Sequence, residues 1–427
     1  MNDKQTEILI AGEEARQRDG LELIPSENYV SRDVLTALGS VFTNKYAEGY
    51  PGKRYYGGQE FTDQIEQLAI DRAKDLFHAD HANVQPHSGA PANEAVYNAW
   101  LEPGDTVLAM DLSHGGHLTH GAPVTRSARL YNFIRYKMKN TETGEIDYKE
   151  LRTLALEHKP KIILAGFSAY PRELDYEKFA EIGREVGALL MADMAHIAGL
   201  IVGGAAVNPF DHGFHVITTT THKTLRGPRG GLILSMGVVS NPLKAPEKTL
   251  ENIPTLIDRS IFPGTQGGPH MHSIAAKAVA FHEAMQPEFK VYVKQVVDNA
   301  SALADEMIKQ GFSLVTGGTS NHMILADVNK SFGIDGKIVE GALEAIGLSL
   351  NANTIPDDTL PYFRPSGIRL GTPAITTRGL KVEHMAQIAS WMKQAIDNRE
   401  DPSKLNDLRE EVKKFANKFP LPSDKQQ

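Results

Sequence analysis

The stretch VITTTTHKTLRGPRGG, residues 216–231, sets a single lysine between a β-branched run and a glycine-rich turn. The run from His215 to Thr221 is typical of a buried strand. The Gly-Pro turn after it predicts a sharp return into a second strand at 232–234. Lys223 then lies where the first strand ends. A lysine amine forms a Schiff base with an aldehyde only where the protein holds it still and partly desolvated. The alternative is a solvated surface lysine, the commoner environment of this residue type.

Short apolar strands and amphipathic helices alternate around this stretch. We predict strands at Thr106–Met110, Ile162–Ala165, Leu189–Ala192, Val216–Thr219 and Gly231–Leu234. Helices fall between them, as at residues 176–186. This alternation is typical of an α/β fold whose mostly parallel sheet is covered by helices. Ligands of such sheets bind at the carboxyl ends of the strands. The residues just past those ends are Asp111, Ser168, Asp193 and Lys223.

Three regions differ in pattern along the chain. Residues 1–60 read as an N-terminal arm with one helical stretch, Glu14–Leu23 at most, and its Gly- and Tyr-rich part at 43–59 predicts no regular element. Residues 61–286 carry the alternating strands and helices and are predicted to form a large domain. Residues 287–427 are predicted to form a smaller α+β domain, with helices near 289–310, 337–346 and 384–396 and strands near 312–315 and 323–328.

Composition excludes several classes of protein. The net charge of −8 is spread over 427 residues without a basic patch, which argues against nucleic acid or an anionic membrane as the main partner. The chain has no cysteine, so disulfides, thiolate metal sites and thiolate nucleophiles are excluded. No apolar run approaches the ~20 residues of a membrane span. The first twelve residues lack the pattern of a signal peptide. We therefore expect a cytoplasmic protein.

Two motifs carry groups suited to binding a flat aromatic ligand. Asp193 ends an apolar strand, where burying an acid is costly without a cationic or protonated partner. The pyridinium nitrogen of pyridoxal phosphate is such a partner, and an acid that caps the next turn is the alternative. The histidines of HGGHLTH, His114, His117 and His120, could hold a metal or stack on a ring. The absence of a nearby HExxH glutamate and of cysteine disfavours the metal.

Small residues mark further candidate binding loops. Ser88–Asn93 precedes a predicted helix at 94–100, and backbone N–H groups there suit a phosphate, although an ordinary helix cap at Ser88 gives the same pattern. Residues 264–269 form a second turn of this type. The segment 49–54 is not a P-loop, because the first glycine and the residue after the lysine are wrong. Arg369, among small residues and strand formers, suits a carboxylate clamp or a structural ion pair.

Taken together, the chain resembles serine hydroxymethyltransferase, a family of pyridoxal-phosphate enzymes with the aspartate-aminotransferase fold. The resemblance covers residues 23 to 391. The motifs that carry it are SENY at 26–29, TNKYAEGYPGKRYYGG at 43–58, HSGAPAN at 87–93, HGGHLTHG at 114–121, DMAHIAGL at 193–200, TTTTHKTLRGPRGG at 218–231 and SGIRLGTPA at 366–374.

The resemblance implies an activity: reversible transfer of the hydroxymethyl carbon of serine to tetrahydrofolate, giving glycine and 5,10-methylenetetrahydrofolate. Lys223 would hold pyridoxal phosphate as an aldimine in the large, cofactor-binding domain, with His222 tuning specificity and Glu48 moving protons. The other residues implied at the cofactor are Gly89, Ala90, His117, Ser168, Asp193, His196, Thr220 and, from a partner subunit, Gly267 and Gly268. Those implied at the substrate are Ser26, Tyr46, Glu48, Tyr56 and Arg369. Those implied at the folate are Leu112, Gly116, His117, Leu118, Asn353, Tyr362 and Phe363.

The resemblance also implies a homodimer with shared active sites, and no metal. Two features depart from the family pattern. Ala90 stands where the family often has a phosphate-binding serine, and residues 238–258 form a longer segment than in typical bacterial members. Three other functions fit parts of the sequence: a folate-independent pyridoxal-phosphate aldolase, a non-catalytic binding protein on the same fold, and a metalloenzyme built on the histidine cluster.

Overall fold

The computed structural model describes residues 2–238 and 244–424. Its α-helices in these ranges, α1–α16 in chain order, span Lys4–Asp19, Arg32–Leu38, Glu60–Phe77, Gly89–Trp100, Arg126–Leu130, Tyr148–His158, Tyr176–Val186, Ala198–Val202, Ile253–Arg259, Met271–Ala284, Pro287–Lys309, Val328–Phe332, Gly336–Ala345, Pro373–Arg378, Met385–Asp397 and Pro402–Ala416. The strands, β1–β17, span Leu21–Glu22, Gly49–Tyr50, Lys53–Arg54, His81–Asn83, Thr106–Met110, Asn132–Tyr136, Met138–Asn140, Glu145–Ile146, Ile162–Gly166, Leu189–Asp193, Val216–Thr220, Gly231–Ser235, Ser313–Leu314, Met323–Asp327, Leu348–Ser349, Asn351–Asn353 and Gly367–Gly371.

Residues 30–140 and 144–293 form one compact unit around a seven-stranded sheet. The strand order is β4-β12-β11-β10-β9-β5-β6. The five strands from β11 to β6 run parallel, whereas β12 is antiparallel to both of its neighbours. The predicted fold class, a mostly parallel sheet with helices, is therefore confirmed. Every residue of the four strands β9 to β12 is buried, as expected for a sheet covered on both faces.

Helices pack on this sheet through apolar side chains that follow from the sequence pattern. One core cluster joins Ala92 and Val96 of α4 to Ile162 of β9, Met191 of β10 and Ile257 of α9. Helix α7 matches the predicted range 176–186, and Asp175 caps its first turn through Lys178 N. Helix α4 is longer than predicted, since it begins at Gly89 rather than near residue 94.

The remaining residues, 1–29, 141–143 and 294–427, form a second compact unit. Its antiparallel sheet has the order β13-β14-β17-β16, and β1 pairs in parallel with β15. Strand β17 is central, and both its neighbours are registered against Arg369. An apolar cluster joins this sheet to the helices, with Ile324, Leu343, Ile368 and Met392 among its fully buried members.

The N-terminal residues differ from the expectation of one helix at 14–23. Helix α1 spans Lys4–Asp19 and Leu21–Glu22 is a strand. No residue of α1 is buried, and its apolar residues Ile8, Leu9 and Ile10 are exposed. Local contacts stabilise the helix, including the Asp3 cap and the Arg16–Glu13 ion pair. The domain boundaries predicted at residues 60 and 286 stay a prediction. The longer segment 238–258 is described only in part, because 239–243 lie outside the described residues; its last residues, 253–258, form most of α9.

Within the described ranges, none of the helices is both long enough and apolar enough to cross a membrane.

Candidate active site

The carboxyl ends of adjacent strands bring the predicted site residues of the larger unit together. Asp193, the last residue of β10, is registered against Gly166 of β9 and Thr218 of β11. Ser168 follows β9 by two residues and Lys223 follows β11 by three. Since parallel strands end at one edge of the sheet, these side chains share that edge. The edge is therefore the candidate active site of this unit.

Asp193 is a buried carboxylate at the centre of a hydrogen-bond network. Its Oδ2 accepts from Asn93 Nδ2 at 2.8 Å and contacts His120 Nε2 at 3.0 Å. Its Oδ1 accepts from Ala195 N at 3.1 Å, so it also caps the following turn, as the alternative interpretation held. Burial acts to raise the pKa of Asp193, but the hydrogen bond and charge of His120, the charge of His117 and the hydrogen bond from Asn93 together hold that pKa below its ordinary value. The side chain stays ionised.

Asn93 orients this network, although sequence reasoning did not single it out. Its Oδ1 accepts from Thr218 Oγ1 at 2.6 Å, and its Nδ2 also donates to Thr119 Oγ1 at 2.8 Å. Asn93 thereby ties α4 to β11 and to the histidine loop. In the sequence, its place in the motif HSGAPAN is the one sign of a role. Its hydrogen-bond partners cannot be inferred from sequence, because they lie 26 to 125 residues away along the chain.

The histidines of HGGHLTH separate into two environments. His117, His120 and Asp193 offer ligand atoms that lie within 4.8 Å of one another, the one such group among the described residues. His114 instead accepts a hydrogen bond from Met138 N at 3.2 Å through Nδ1. The structure therefore does not form the predicted alternative, a metal site of three histidines, because Asp193 and not His114 lies with His117 and His120. His117 Nδ1 contacts Thr119 Oγ1 at 2.7 Å, which fixes the orientation of its ring.

Lys223 is buried in a tight turn rather than exposed at the surface. Its side chain is 9% exposed. The turn is closed by bonds from Arg226 N to the Lys223 carbonyl at 3.0 Å and from Gly227 N to the Thr221 carbonyl at 2.7 Å. Desolvation of this kind is what the amine needs to act as a nucleophile. The surface-lysine alternative is therefore wrong.

His222, beside this lysine, is neutral. Burial, followed by the charges of Arg229 and Lys223, lowers the pKa of His222 to about 3. Its Nδ1 is buried and has no hydrogen-bond partner in the structure. A buried polar atom without a partner is costly and marks a place where a ligand can bind.

Three further predicted cofactor residues, Ser168, His196 and Thr220, lie at the ends of β9, β10 and β11. Thr224 Oγ1 donates to the His196 carbonyl at 3.0 Å and accepts from Gly199 N at 2.9 Å. Thr220 Oγ1 donates to the Ala195 carbonyl at 3.3 Å. Ser168 N donates to the Gly115 carbonyl at 2.7 Å, which joins the end of β9 to the histidine loop. These contacts hold the loops after β9, β10 and β11 as one group.

The N-terminus of α4 approaches the ends of β11 and β12 closely. A Cβ atom at Gly89 would lie 2.9 Å from Thr220 Cγ2, and one at Gly231 would lie 2.3 Å from the Ser88 carbonyl oxygen. Ser88, the N-cap residue, makes no side-chain capping bond. The first N–H groups of a helix have no intrahelical partner. Those of Gly89 and Ala90 therefore form a cradle with the geometry of an anion site.

Glu48 lies in the Gly- and Tyr-rich loop against the second glycine turn. Tyr46 Oη donates to Glu48 Oε1 at 3.1 Å, and the Tyr46 and Tyr56 rings meet edge to face at 5.2 Å. A Cβ at Gly267 would lie 3.2 Å from Glu48 Oε1, and one at Gly268 would lie 3.0 Å from Tyr46 Cε2. Tyr46 is 56% and Tyr56 is 51% exposed. Glu48 and Tyr46 of this loop therefore lie next to the glycine turn at 267–268, with Tyr56 packed on Tyr46.

A buried arginine fixes this loop, contrary to the expectation that residues 43–59 contain no regular element. Arg54 ends a short hairpin of β2 and β3. It donates to the carbonyls on both sides of Glu48, to Ala47 O at 2.9 Å and Gly49 O at 3.0 Å. Asp63 and Glu66 of α3 balance its charge. The hairpin holds the Glu48 backbone although it is too short for periodicity to reveal it.

In the smaller unit, Arg369 and Ser26 lie on neighbouring segments. Arg369 Nε donates to Asn351 Oδ1 at 3.1 Å, and burial lowers the pKa of Arg369 to about 10. The carbonyl of Leu23, three residues before Ser26, accepts from Gly371 N at 2.7 Å. A partly buried guanidinium beside a neutral amide suits a carboxylate ligand.

The predicted folate residues lie in two loops, one in each unit. Leu112, Gly116 and Leu118 follow β5, and a Cβ at Gly116 would lie 2.3 Å from the Met110 carbonyl oxygen, so only glycine fits there. The two leucines are 43% and 49% exposed. In the smaller unit Asn353 ends β16, and Tyr362 and Phe363 are 82% and 62% exposed.

These features fit pyridoxal phosphate. The cradle at α4 suits its phosphate, the ionised Asp193 suits its ring nitrogen, and the buried Lys223 suits its aldehyde. His222 supplies the partnerless buried atom at the same edge. The sheet and the site together define a pyridoxal-phosphate-dependent transferase.

Comparison with known proteins identifies the family. The family model described as serine hydroxymethyltransferase matches residues 1–392. A serine hydroxymethyltransferase of Koribacter versatilis (strain Ellin345) is 53% identical over 420 residues, which cover 98% of this chain and 94% of that protein. The chain belongs to the serine hydroxymethyltransferase family. Its activity is reversible transfer of the serine hydroxymethyl carbon to tetrahydrofolate, with pyridoxal phosphate as cofactor.

Proposed function

We propose that Lys223 holds the cofactor aldehyde and Asp193 binds its ring nitrogen in this serine hydroxymethyltransferase. The observation that carries the proposal is the ionised Asp193, buried one strand away from the strand that leads to Lys223. When bound, pyridoxal phosphate supplies an electron sink for cleavage of a bond at the amino-acid carbon. An ionised carboxylate at the ring nitrogen favours the protonated ring that this chemistry needs.

The phosphate and ring are assigned to backbone donors and short side chains. Gly89 and Ala90 donate N–H groups to the phosphate, while Pro91 has no N–H to offer. Gly267 of the partner subunit and Gly268 of the partner subunit complete the phosphate site. His117 stacks on the ring, whereas Ser168, His196 and Thr220 surround its edge.

Separate side chains bind the substrate carboxylate, transfer the proton and tune specificity. Arg369 and Ser26 bind the amino-acid carboxylate through a guanidinium and a hydroxyl. Glu48, with Tyr46 and Tyr56 beside it, moves the proton of the reacting hydroxyl group. His222 tunes specificity as a neutral imidazole next to Lys223, consistent with its low pKa.

The folate site and the location in the cell complete the proposal. Leu112, Leu118, Tyr362 and Phe363 provide exposed apolar surface for the pterin and its substituent, with Gly116, His117 and Asn353 as the remaining contacts. No metal takes part. The chain works in the cytoplasm on small molecules, serine, glycine and tetrahydrofolate, and has no nucleic acid or membrane as a partner.

We further propose a homodimer in which each active site takes Glu48 from the other subunit. Glu48 and Tyr46 lie against the turn at 267–268, and Tyr55, whose N donates to the Glu48 carbonyl at 3.1 Å, is 59% exposed. An exposed aromatic surface of this kind is typical of an interface. One subunit can thereby deliver its proton-transfer acid and its glycine turn to the same partner site.

Mixing two inactive variants tests these roles together. Glu48→Gln and Lys223→Ala homodimers should each lack tetrahydrofolate-dependent conversion of serine to glycine. After subunit exchange, half of a random mixture is heterodimer with one intact site of two, so activity should recover to about a quarter of wild type. The control mixes Glu48→Gln with the Glu48→Gln, Lys223→Ala double variant, which offers no intact site. No recovery after verified exchange would contradict shared sites.

A further inference from the structure

Lys277 of α10 is a fully buried lysine that the reaction as described does not use. Its side chain is 2% exposed. Its Nζ donates to three backbone carbonyls, those of Val84 at 2.7 Å, Gly231 at 2.7 Å and Pro86 at 3.3 Å. Only an ammonium has three N–H donors. The geometry therefore suits the charged form, although burial lowers the pKa of Lys277 to about 7.

Two of the carbonyls that Lys277 holds, those of Val84 and Pro86, belong to the loop between β4 and α4, and the third is that of Gly231, the first residue of β12. A second side chain, that of Gln266 shortly before α10, binds the same loop. Gln266 Nε2 donates to the Gln85 carbonyl at 2.9 Å, and Gln266 Oε1 accepts from His87 N at 3.1 Å. Gly231 N donates to the Pro86 carbonyl at 3.0 Å. Every residue from 84 to 87 thus has a backbone group fixed by these contacts.

The paired glycines that close the lysine motif make room for this arrangement. A Cβ at Gly230 would lie 2.4 Å from Lys277 Cε and 2.9 Å from its Nζ. A Cβ at Gly231 would collide with Ser88, at the start of α4. Gly230 therefore admits the ammonium and Gly231 admits the helix start. The turn after Lys223 and the loop before Gly89 meet at Lys277.

We propose that Lys277 is a positioning residue for the cofactor phosphate. It holds the Val84 and Pro86 carbonyls, and through them it sets the direction of the Gly89 and Ala90 N–H groups at the start of α4. The inference rests on the proposed phosphate site at that helix. Lys277 itself does not touch the cofactor, since its three donors are taken by carbonyl oxygens.

The test compares two ligands that differ only in the phosphate. Apo-protein is titrated with pyridoxal phosphate and with pyridoxal, for wild type and for Lys277→Met, which keeps an unbranched apolar stem and removes the charge. Affinity for pyridoxal phosphate should fall about tenfold or more, as for loss of a hydrogen bond to a charged group. Affinity for pyridoxal should change less than about twofold, because Lys223 and Asp193 remain.

Two further variants keep the result interpretable. Ala276→Gly, at a fully buried position of the same helix, lowers stability without touching the loop and should leave the ratio of the two affinities unchanged. Lys277→Gln retains an amide with two N–H donors and should recover part of the lost affinity. It also supplies the test if Lys277→Met does not fold.

The possible outcomes separate this inference from the proposed function. An equal loss of affinity for both ligands in Lys277→Met, or wild-type affinities in Lys277→Met, would overturn the role of Lys277. If Lys277→Met does not fold, the same two outcomes in Lys277→Gln would overturn it. Wild-type apo-protein that shows no preference for pyridoxal phosphate over pyridoxal would overturn the phosphate site itself.

Discussion

Replacing Asn93 by alanine should disable the network that orients Asp193. Asn93 is 1% exposed and makes three side-chain hydrogen bonds, to Asp193, Thr119 and Thr218. A bond to a charged group contributes roughly 1.5–3 kcal/mol and each neutral bond about 1 kcal/mol. The three together predict a loss of about 3–5 kcal/mol in the free energy of unfolding of the apo-protein. Thr218 and Asp193 would keep their desolvation cost without their partner.

Urea unfolding of the apo-protein measures this loss, with Asn98→Ala as the matched control. Asn98 lies on the same helix and makes one bond, to Ser260 Oγ at 2.9 Å, so its replacement should cost about 1 kcal/mol or less. Asn93→Ala should also weaken pyridoxal phosphate binding, since Asp193 loses a donor that keeps it ionised, whereas Asn98→Ala should not. Equal losses of stability in the two variants, with equal cofactor affinities, would refute the reasoning.

Two further substitutions and a change of pH have defined outcomes. Ala90→Ser should tighten pyridoxal phosphate binding to apo-protein at least about tenfold, because a hydroxyl adds a bond to the phosphate worth roughly 1.5–3 kcal/mol; unchanged or weaker affinity would show that Ala90 does not face the phosphate. Gly89→Ala should weaken the same binding, since its Cβ would lie 2.9 Å from Thr220 Cγ2, and the same titration measures it. His222 should make apo-protein stability depend on pH, because its folded pKa of about 3 lies below the unfolded value of 6.5. The unfolded chain binds the extra proton in that window, so stability falls by up to about 1.4 kcal/mol for each unit that the pH drops below 6.5.

The pH dependence is tested by difference. His222→Gln removes the titrating group. The unfolding free energy of wild type minus that of the variant should therefore decrease as the pH falls from 6.5 towards 3. A gap that stays constant across this range would mean that His222 has no depressed pKa in the folded apo-protein.

The large sheet could be predicted from sequence because its strands are uniformly apolar and bounded by turn residues. The strands at 106–110, 162–166, 189–193, 216–220 and 231–235 each lie within one residue of the prediction. Two strands of the same sheet were missed for identifiable reasons. His81–Asn83 is three residues long and largely polar, and Asn132–Tyr136 is an edge strand with a half-exposed face.

The candidate site could be predicted only where chemistry is local in sequence. Lys223 and Asp193 stand at strand ends, where fold class alone makes them candidates. Asn93 and Lys277 could not be found in this way, because their partners lie far away along the chain. Lys277 reaches carbonyls 46 to 193 residues away. Every residue has a backbone carbonyl, so the sequence does not indicate which carbonyls bind Lys277. The fold alone shows why that lysine is buried.

The central claim is that Lys223 holds the cofactor, and borohydride reduction of the holoenzyme followed by peptide mapping tests it most directly. Lys277 is the informative competitor, since burial lowers its pKa to about 7 and it lies at the same end of the sheet. Three carbonyl oxygens favour its charged form, and an ammonium has no lone pair with which to attack an aldehyde. We predict that the reduced pyridoxyl group is found on Lys223. A label on Lys277, or on any other lysine, would contradict the account.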